Sequence, residues 1–168
     1  MSLEAKAVLL VAAVLIVLWA IAWVKDKFFR RRGVWIERKS VKALQLPKNW
    51  SIAPDVSVPG LGNCDVLITD PEDVRYAVEI KSAESAKKVW FSLFTKDEIR
   101  KANGDRFPRD HVTQTLNVAT RLNAVPVLWF PRARRTKRFK TRSGVIVVLG
   151  GHKVLERAIG ARWGWFWL

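Results

Sequence analysis

The sequence predicts an α/β domain, with a mixed sheet flanked by helices, preceded by one transmembrane helix. Short β-prone runs alternate with helical runs after residue 33, which is typical of mixed sheet domains. The length of 168 residues suits one globular domain with appendages. An uncharged apolar run opens the chain. The predicted parts are a transmembrane anchor at 1–24, a basic juxtamembrane linker at 25–33, a folded domain at 34–160 and an aromatic tail at 161–168.

The apolar run at 7–24 contains no charged residue. A helix of this length measures roughly 27 Å, close to the thickness of a bilayer's hydrocarbon core. Five cations and one acid follow within residues 25–32. The positive-inside rule therefore predicts a single-pass protein of the cell inner membrane, with its N-terminus outside and its domain in the cytoplasm. A cleaved signal peptide is the alternative, because residues 20–22 resemble a cleavage site, but the basic cluster lies downstream of the run rather than upstream. A helix buried in a protein core is a third alternative, but the run has no polar face, which disfavours it.

The net charge of +15 belongs almost entirely to residues 25–168, because Glu4 and Lys6 cancel in the N-terminal part. The positive charges of a small domain with this imbalance repel one another unless the domain binds a polyanion. Nucleic acid and anionic lipid are the two candidate polyanions. The single cysteine, Cys64, cannot form an intrachain disulfide, so nothing requires an oxidising compartment.

The elements of the folded domain follow from periodicity and turn residues. A short helix is predicted at 34–46, where Pro47 ends it. The later predictions are strands at 51–58, 63–69, 75–81, 125–130 and 145–149, and helices at 110–123 and 152–159. Residues 84–104 give no clear pattern.

The hairpin formed by the second and third strands gathers the residues that could carry chemistry. The residues at 70–73 have the composition of a turn. If the turn is centred near Glu72, Asp65 faces Glu79 across the antiparallel pair. A strand alternates its side chains between two faces, so Lys81 shares a face with Glu79.

Two facing carboxylates repel each other unless a cation neutralises them. A hard divalent ion such as Mg²⁺ (or Mn²⁺) takes oxygen ligands, and the carbonyl of Ile80 could supply a third. Lys81 beside the ion could activate water or stabilise charge on a phosphate, which is the chemistry of phosphodiester hydrolysis. The alternative is a solvated hairpin face on which Asp65, Glu79 and Lys81 form ordinary ion pairs.

The runs 63–68 and 77–81 resemble the core of the PD-(D/E)xK nucleases, and more narrowly the nuclease-related domain (NERD) family. A Gly-rich turn precedes the first run, and the helix at 110–123 begins with His111 and carries Gln114, as in that family. The strands at 125–130 and 144–149 are similar to its later strands. The resemblance covers roughly residues 34–157 and implies a restriction-endonuclease-like fold.

The resemblance also implies roles for individual residues. Asp65 and Glu79 would be metal ligands, Lys81 would activate water, and Gln114 and Glu37 would be supporting polar groups. The sequence departs from the family at Cys64, where an aliphatic residue is usual, and in residues 84–104, which leaves the loops that face the substrate undefined.

Residues 132–142 contain seven cations and no acid, and we name them the basic segment. Its cations are Arg132, Arg134, Arg135, Lys137, Arg138, Lys140 and Arg142. As a loop it could grip DNA phosphates with little sequence discrimination. The alternatives are that the segment binds lipid headgroups or that it is a flexible, solvated loop.

The aromatic tail at 161–168 is either an interfacial membrane contact or a segment packed on the domain.

These observations predict a membrane-anchored, metal-dependent nuclease that acts on DNA. The alternative is a catalytically inactive nuclease fold that binds DNA within a protein assembly at the membrane, such as a DNA-transfer apparatus. A weaker alternative is a lipid-surface protein whose charge serves only membrane binding.

Overall fold

The structure, a computed structural model, describes residues 2–82, 86–90, 98–101, 107 and 110–160. The described chain contains three helices and eight strands. In chain order they are α1 (Leu3–Lys42), β1 (Ser51–Val58), β2 (Gly62–Thr69), β3 (Arg75–Ile80), β4 (Ala86–Trp90), β5 (Glu98–Lys101), α2 (His111–Arg121), β6 (Val125–Phe130), β7 (Lys137–Lys140), β8 (Ile146–Leu149) and α3 (His152–Gly160). The chain divides into two compact units, Met1–Ile36 and Glu37–Leu168.

The first unit consists of the N-terminal part of α1. The large apolar side chains described between Leu10 and Val24 are exposed, with exposed fractions from 47% at Ile21 to 70% at Trp19. Within the described part of the chain, no helix is long and apolar enough to cross a membrane.

The helix α1 runs without a break through the linker predicted at 25–33 and into the helix predicted at 34–46. A glycine inside a helix costs only about 1 kcal/mol, which explains why Gly33 does not end it. The helix ends at Lys42 instead of residue 46. Pro47 disfavours helical backbone at the residue before it, and the chain leaves the helix through a turn at Ala43 and Leu44.

The second unit contains a six-stranded mixed sheet in the order β1-β2-β3-β6-β8-β7. The strands β3, β6 and β8 are parallel to one another, and the other pairs are antiparallel. The central strands β6 and β8 are almost wholly apolar, as expected of parallel strands that are buried on both faces. The predicted α/β class, with a mixed sheet flanked by helices, is confirmed.

Each face of the sheet has its own apolar layer. One layer includes Val78, Ile80 and Trp129, packed with Leu155 of α3 and with residues 41–50. The opposite layer includes Leu128 and Phe130 beside α2, and Ala77 packed with Val118 of α2. We call these the α3 face and the α2 face.

The bounds of the predicted strands and helices agree with the structure to within two residues, except for the helix predicted at 34–46, which is part of α1, and for two other regions. Residues 84–104, which gave no clear pattern, contain the pair β4–β5, a small sheet of its own. The basic segment, predicted as a loop, contains the edge strand β7. Phe139 alternates with charged neighbours there and packs against the α2-face layer, so one apolar side chain fixes the strand. The predicted aromatic tail at 161–168 lies outside the described residues.

Candidate functional site

The hairpin β2–β3 has the predicted register. Leu67 pairs with Ala77 and Val66 pairs with Val78, and the ladder ends there, one residue before Asp65 and Glu79. The Asp65 carboxylate reaches the end of β3 through its hydrogen bond with the backbone N–H of Ile80. The side chain of Asp70 fixes the turn, because its Oδ1 accepts hydrogen bonds from the backbone N–H groups of residues 72 and 74, at 2.9 and 2.8 Å.

Strand alternation places Glu79 on the α2 face. Its neighbours Val78 and Ile80 are buried in the α3-face layer, whereas Ala77 packs toward α2. Gln114, in the first turns of α2, reaches Glu79 from that side, with its Nε2 donating to Glu79 Oε1 at 3.2 Å. Asp110 caps the N-terminus of α2 by accepting from the backbone N–H of residue 113 at 3.1 Å, which fixes where that turn begins.

The three predicted catalytic residues of the hairpin form one connected group. Lys81 Nζ lies 2.5 Å from Glu79 Oε1 as an ion pair. Asp65 Oδ2 accepts a hydrogen bond of 2.6 Å from the backbone N–H of Ile80. The side chain of Glu79 is only 5% exposed, and among the described residues its Oε2 has no hydrogen-bond partner. A buried carboxylate oxygen left in this state costs free energy, and a cation or a donor from a ligand would recover it.

The electrostatics of the group would favour binding of an additional cation. Burial is the main cause that raises the pKa of Asp65 to about 7, and the nearby charge of Glu79 raises it further. The Ile80 N–H and Lys81 act in the opposite direction but do not compensate. With a pKa of about 7, the Asp65 carboxyl retains a proton near neutral pH unless a cation replaces it.

Glu37 also belongs to the group. Burial raises the pKa of its carboxyl, the Lys81 charge lowers it, and the charges of Glu79 and Asp55 raise it. The structure therefore brings Glu37 near the hairpin carboxylates, together with Gln114. All five predicted catalytic residues lie in one neighbourhood.

Sequence reasoning missed Asp55 of β1. Its neighbours Pro54 and Val56 pair with Val66 and Cys64, so Asp55 lies between these two pairs, and its charge acts on the Glu37 carboxyl. Its backbone has a φ of 55°, and its Oδ1 accepts from Asn63 Nδ2 at 2.8 Å. The signal was available, because the pairing rule used for the second hairpin also applies to the Gly-rich turn at 59–62.

The basic segment does not join this group of carboxylates. Its seven cations are exposed and lie at and beside β7, the far edge strand of the sheet. His111 lies in the first turn of α2, with its ring centroid 5.1 Å from that of Phe107. The cap itself is Asp110.

The described residues include no group of three or more His, Cys, Asp or Glu side chains that could hold a metal ion. They do offer the pair Asp65 and Glu79, one with a bare buried oxygen. Mg²⁺ is commonly bound by one or two carboxylates, with water and substrate phosphate completing its shell. The donor set fits that mode of binding.

Comparison with protein-family models, with curated proteins and with solved structures finds no match to this chain. The geometry of the site and the pattern of charge are therefore the grounds on which a function can be argued.

Proposed function

We propose that the chain is a metal-dependent nuclease of the PD-(D/E)xK type that hydrolyses phosphodiester bonds in DNA. The observation that carries the proposal is the buried Glu79, whose Oε1 is paired with Lys81 and whose Oε2 is bare, opposite an Asp65 with a raised pKa. A divalent cation is the ligand that would neutralise such a pair of carboxylates.

Each residue has a role in this proposal. Asp65 and Glu79 would hold Mg²⁺ or Mn²⁺, with the carbonyl of Ile80 as a further ligand. The bound cation would supply Lewis acidity toward the phosphate. Lys81 Nζ orients the attacking water and donates to a phosphate oxygen as negative charge develops. Gln114 and Glu37 orient the carboxylates, Gln114 through its hydrogen bond to Glu79 Oε1.

The test uses the full chain in detergent, incubated with supercoiled plasmid and Mg²⁺. We expect cleavage by the wild type and by the control variant Asp73→Asn, which removes an exposed turn carboxylate where asparagine also tolerates the positive φ. Asp65→Asn and a chelator should each abolish cleavage. Plasmid that is bound but never cut by the wild type would reject the nuclease.

A catalytically inactive DNA-binding module is the second candidate. One observation favours it: Asp65 Oδ2 is already engaged by the Ile80 N–H, so the described carboxylates leave few oxygens for a metal. The plasmid experiment separates the two, because a binding module retains DNA equally in the wild type and in Asp65→Asn. Such a module would serve a protein assembly at the membrane.

Membrane attachment through the N-terminal helix is a further part of the proposal. Its support is the uncharged run at 7–24 and the exposed apolar side chains described along it. We propose a single pass through the cell inner membrane, with the second unit in the cytoplasm. The full chain should stay in the membrane pellet after alkaline carbonate extraction, and release of the full chain by carbonate would reject the anchor.

A further inference from the structure

The basic segment begins level with the site, along the edge of the sheet where the parallel strands β3, β6 and β8 end. β3, β6 and β8 are parallel, and their register sets Lys81 level with Phe130, which pairs with Leu149. Leu149 pairs in turn with Lys137 of β7. Lys81 and Lys137 therefore lie at the same height and three strand spacings apart, roughly 14 Å.

The segment also divides between the two faces of the sheet. Ala133 and Phe139 pack against the α2-face layer, the face that carries Glu79. Lys137 lies two residues from Phe139 and shares that face, whereas Arg138 points to the other. Arg138 Nη1 donates to the backbone carbonyl of Ala158 in α3 at 3.5 Å. Only part of the basic segment thus lies on the face of the sheet that carries Glu79.

No carboxylate occurs in the sequence between Asp110 and Glu156. An anion that leaves the site toward β7 along β6 and β8 therefore meets no acidic side chain of these strands or of the turns between them. It comes to Lys137, which Arg134 and Arg135 closely precede in the chain, and all three side chains are exposed. The carboxylates lie at one end of this path and the cations lie at the other.

We infer that the DNA backbone crosses the sheet along this edge, from Lys81 to Arg134, Arg135 and Lys137. The inference rests on the proposed function and specifies its substrate. Because 14 Å corresponds to roughly four nucleotides of a duplex strand, the substrate must be a polynucleotide that extends about that far beyond the cleaved phosphate. Short diesters reach the carboxylates but not the cations, so they bind weakly.

The test compares two pairs of charge-removing substitutions in the full chain. Arg135→Gln with Lys137→Gln alters the path, whereas Lys153→Gln with Arg157→Gln removes equal charge from exposed positions of α3. The Kd for a labelled duplex of roughly 20 base pairs should rise about tenfold in the first pair and less than about twofold in the second. Hydrolysis of bis(p-nitrophenyl) phosphate should be the same in both pairs, because this small diester does not span the path.

Three results would be decisive. A rise in Kd that is equal in both pairs would overturn the inference, because bulk charge would then explain binding. Loss of small-diester hydrolysis only in the first pair would also overturn it, because those cations would then belong to the chemical step. If the wild type hydrolyses neither substrate, the proposed function fails, whereas the Kd values still decide whether DNA follows this edge.

Discussion

Glu79 is a buried carboxylate whose two oxygens have unlike surroundings. Oε1 accepts from Lys81 and Gln114, and Oε2 has no partner among the described residues. The side chain of Lys81 is 22% exposed, so water screens part of its attraction to Glu79. The pair therefore neutralises Glu79 only in part.

Lys81→Met should lower the free energy of unfolding by about 1–3 kcal/mol, less than the loss of a fully buried pair, because the buried Glu79 side chain would lose its ion-pair partner. The additional substitution Glu79→Gln should recover most of that loss. Urea unfolding of the single and double variants, without divalent metal, measures the coupling. Strictly additive losses would show that the two side chains do not interact.

The raised pKa of Asp65 predicts how stability depends on pH. The folded carboxyl keeps its proton up to about pH 7, whereas in the unfolded chain it loses the proton near its ordinary pKa of 3.8. The unfolded state thus binds fewer protons across this window, so stability falls as pH rises through it. With a chelator present, the Tm of the wild type should be lower at about pH 8 than at about pH 5.

The variant Asp65→Asn should show a smaller fall in Tm over the same pH range. Added Mg²⁺ should raise the Tm of the wild type at about pH 8, since a ligand that binds the folded state stabilises it. The same addition should have little effect on Asp65→Asn. Equal pH profiles for the two proteins would show that the ionisation of Asp65 is not the cause.

The sequence predicted the central residues of the site for a simple physical reason. A tight turn fixes the register of an antiparallel pair, so counting residues from the turn predicted that Asp65 and Glu79 lie near each other at one end of the hairpin. Gln114 and Glu37 lie on helices far away in sequence, and only resemblance to a family suggested them. The position of Asp55 follows from the same count across the turn at 59–62, whereas its positive φ inside a strand does not, because no local pattern predicts it.

At the scale of elements, the basic segment shows where pattern reasoning fails. Charges surround Phe139, so the segment has no apolar alternation to mark a strand. Tertiary pairing with β8 supplies the backbone hydrogen bonds, and burial of Phe139 sets the face. Lysine and arginine on an edge strand also discourage pairing with another chain, so the same charges have a structural use.

The junction between β8 and α3 depends on Gly150. Its φ is +116°, and a Cβ there would lie 3.0 Å from Val154 Cγ2. Gly150→Ala should therefore lower the free energy of unfolding by about 1–3 kcal/mol. Gly151→Ala is the matched control, because a Cβ at that position meets nothing within 4 Å. Chemical denaturation of both variants tests the prediction, which fails if they lose equal stability.

At the scale of the whole molecule, the chain has a net charge of +15, yet its carboxylates are concentrated. Asp55, Asp65 and Glu79 lie around the hairpin, whereas the 45 residues from 111 to 155 contain no acid. A uniformly spread charge would attract DNA to any face. Because acidic and basic residues are segregated, a bound polyanion would be oriented with respect to the sheet.

The salt dependence of the Kd for DNA distinguishes contacts between particular cations and phosphates from a diffuse electrostatic attraction. Each phosphate neutralised in a duplex contributes about 0.9 to the slope of log Kd against log salt concentration, because it releases a condensed counterion. For the non-cleaving variant Asp65→Asn, the substitutions Arg135→Gln and Lys137→Gln should together reduce this slope by about 2. Lys153→Gln with Arg157→Gln changes the net charge equally and should leave the slope unchanged. Anisotropy titrations over a series of salt concentrations measure all three proteins. Slopes reduced alike in both pairs would mean that DNA responds to the total charge and that no particular edge of the sheet holds it.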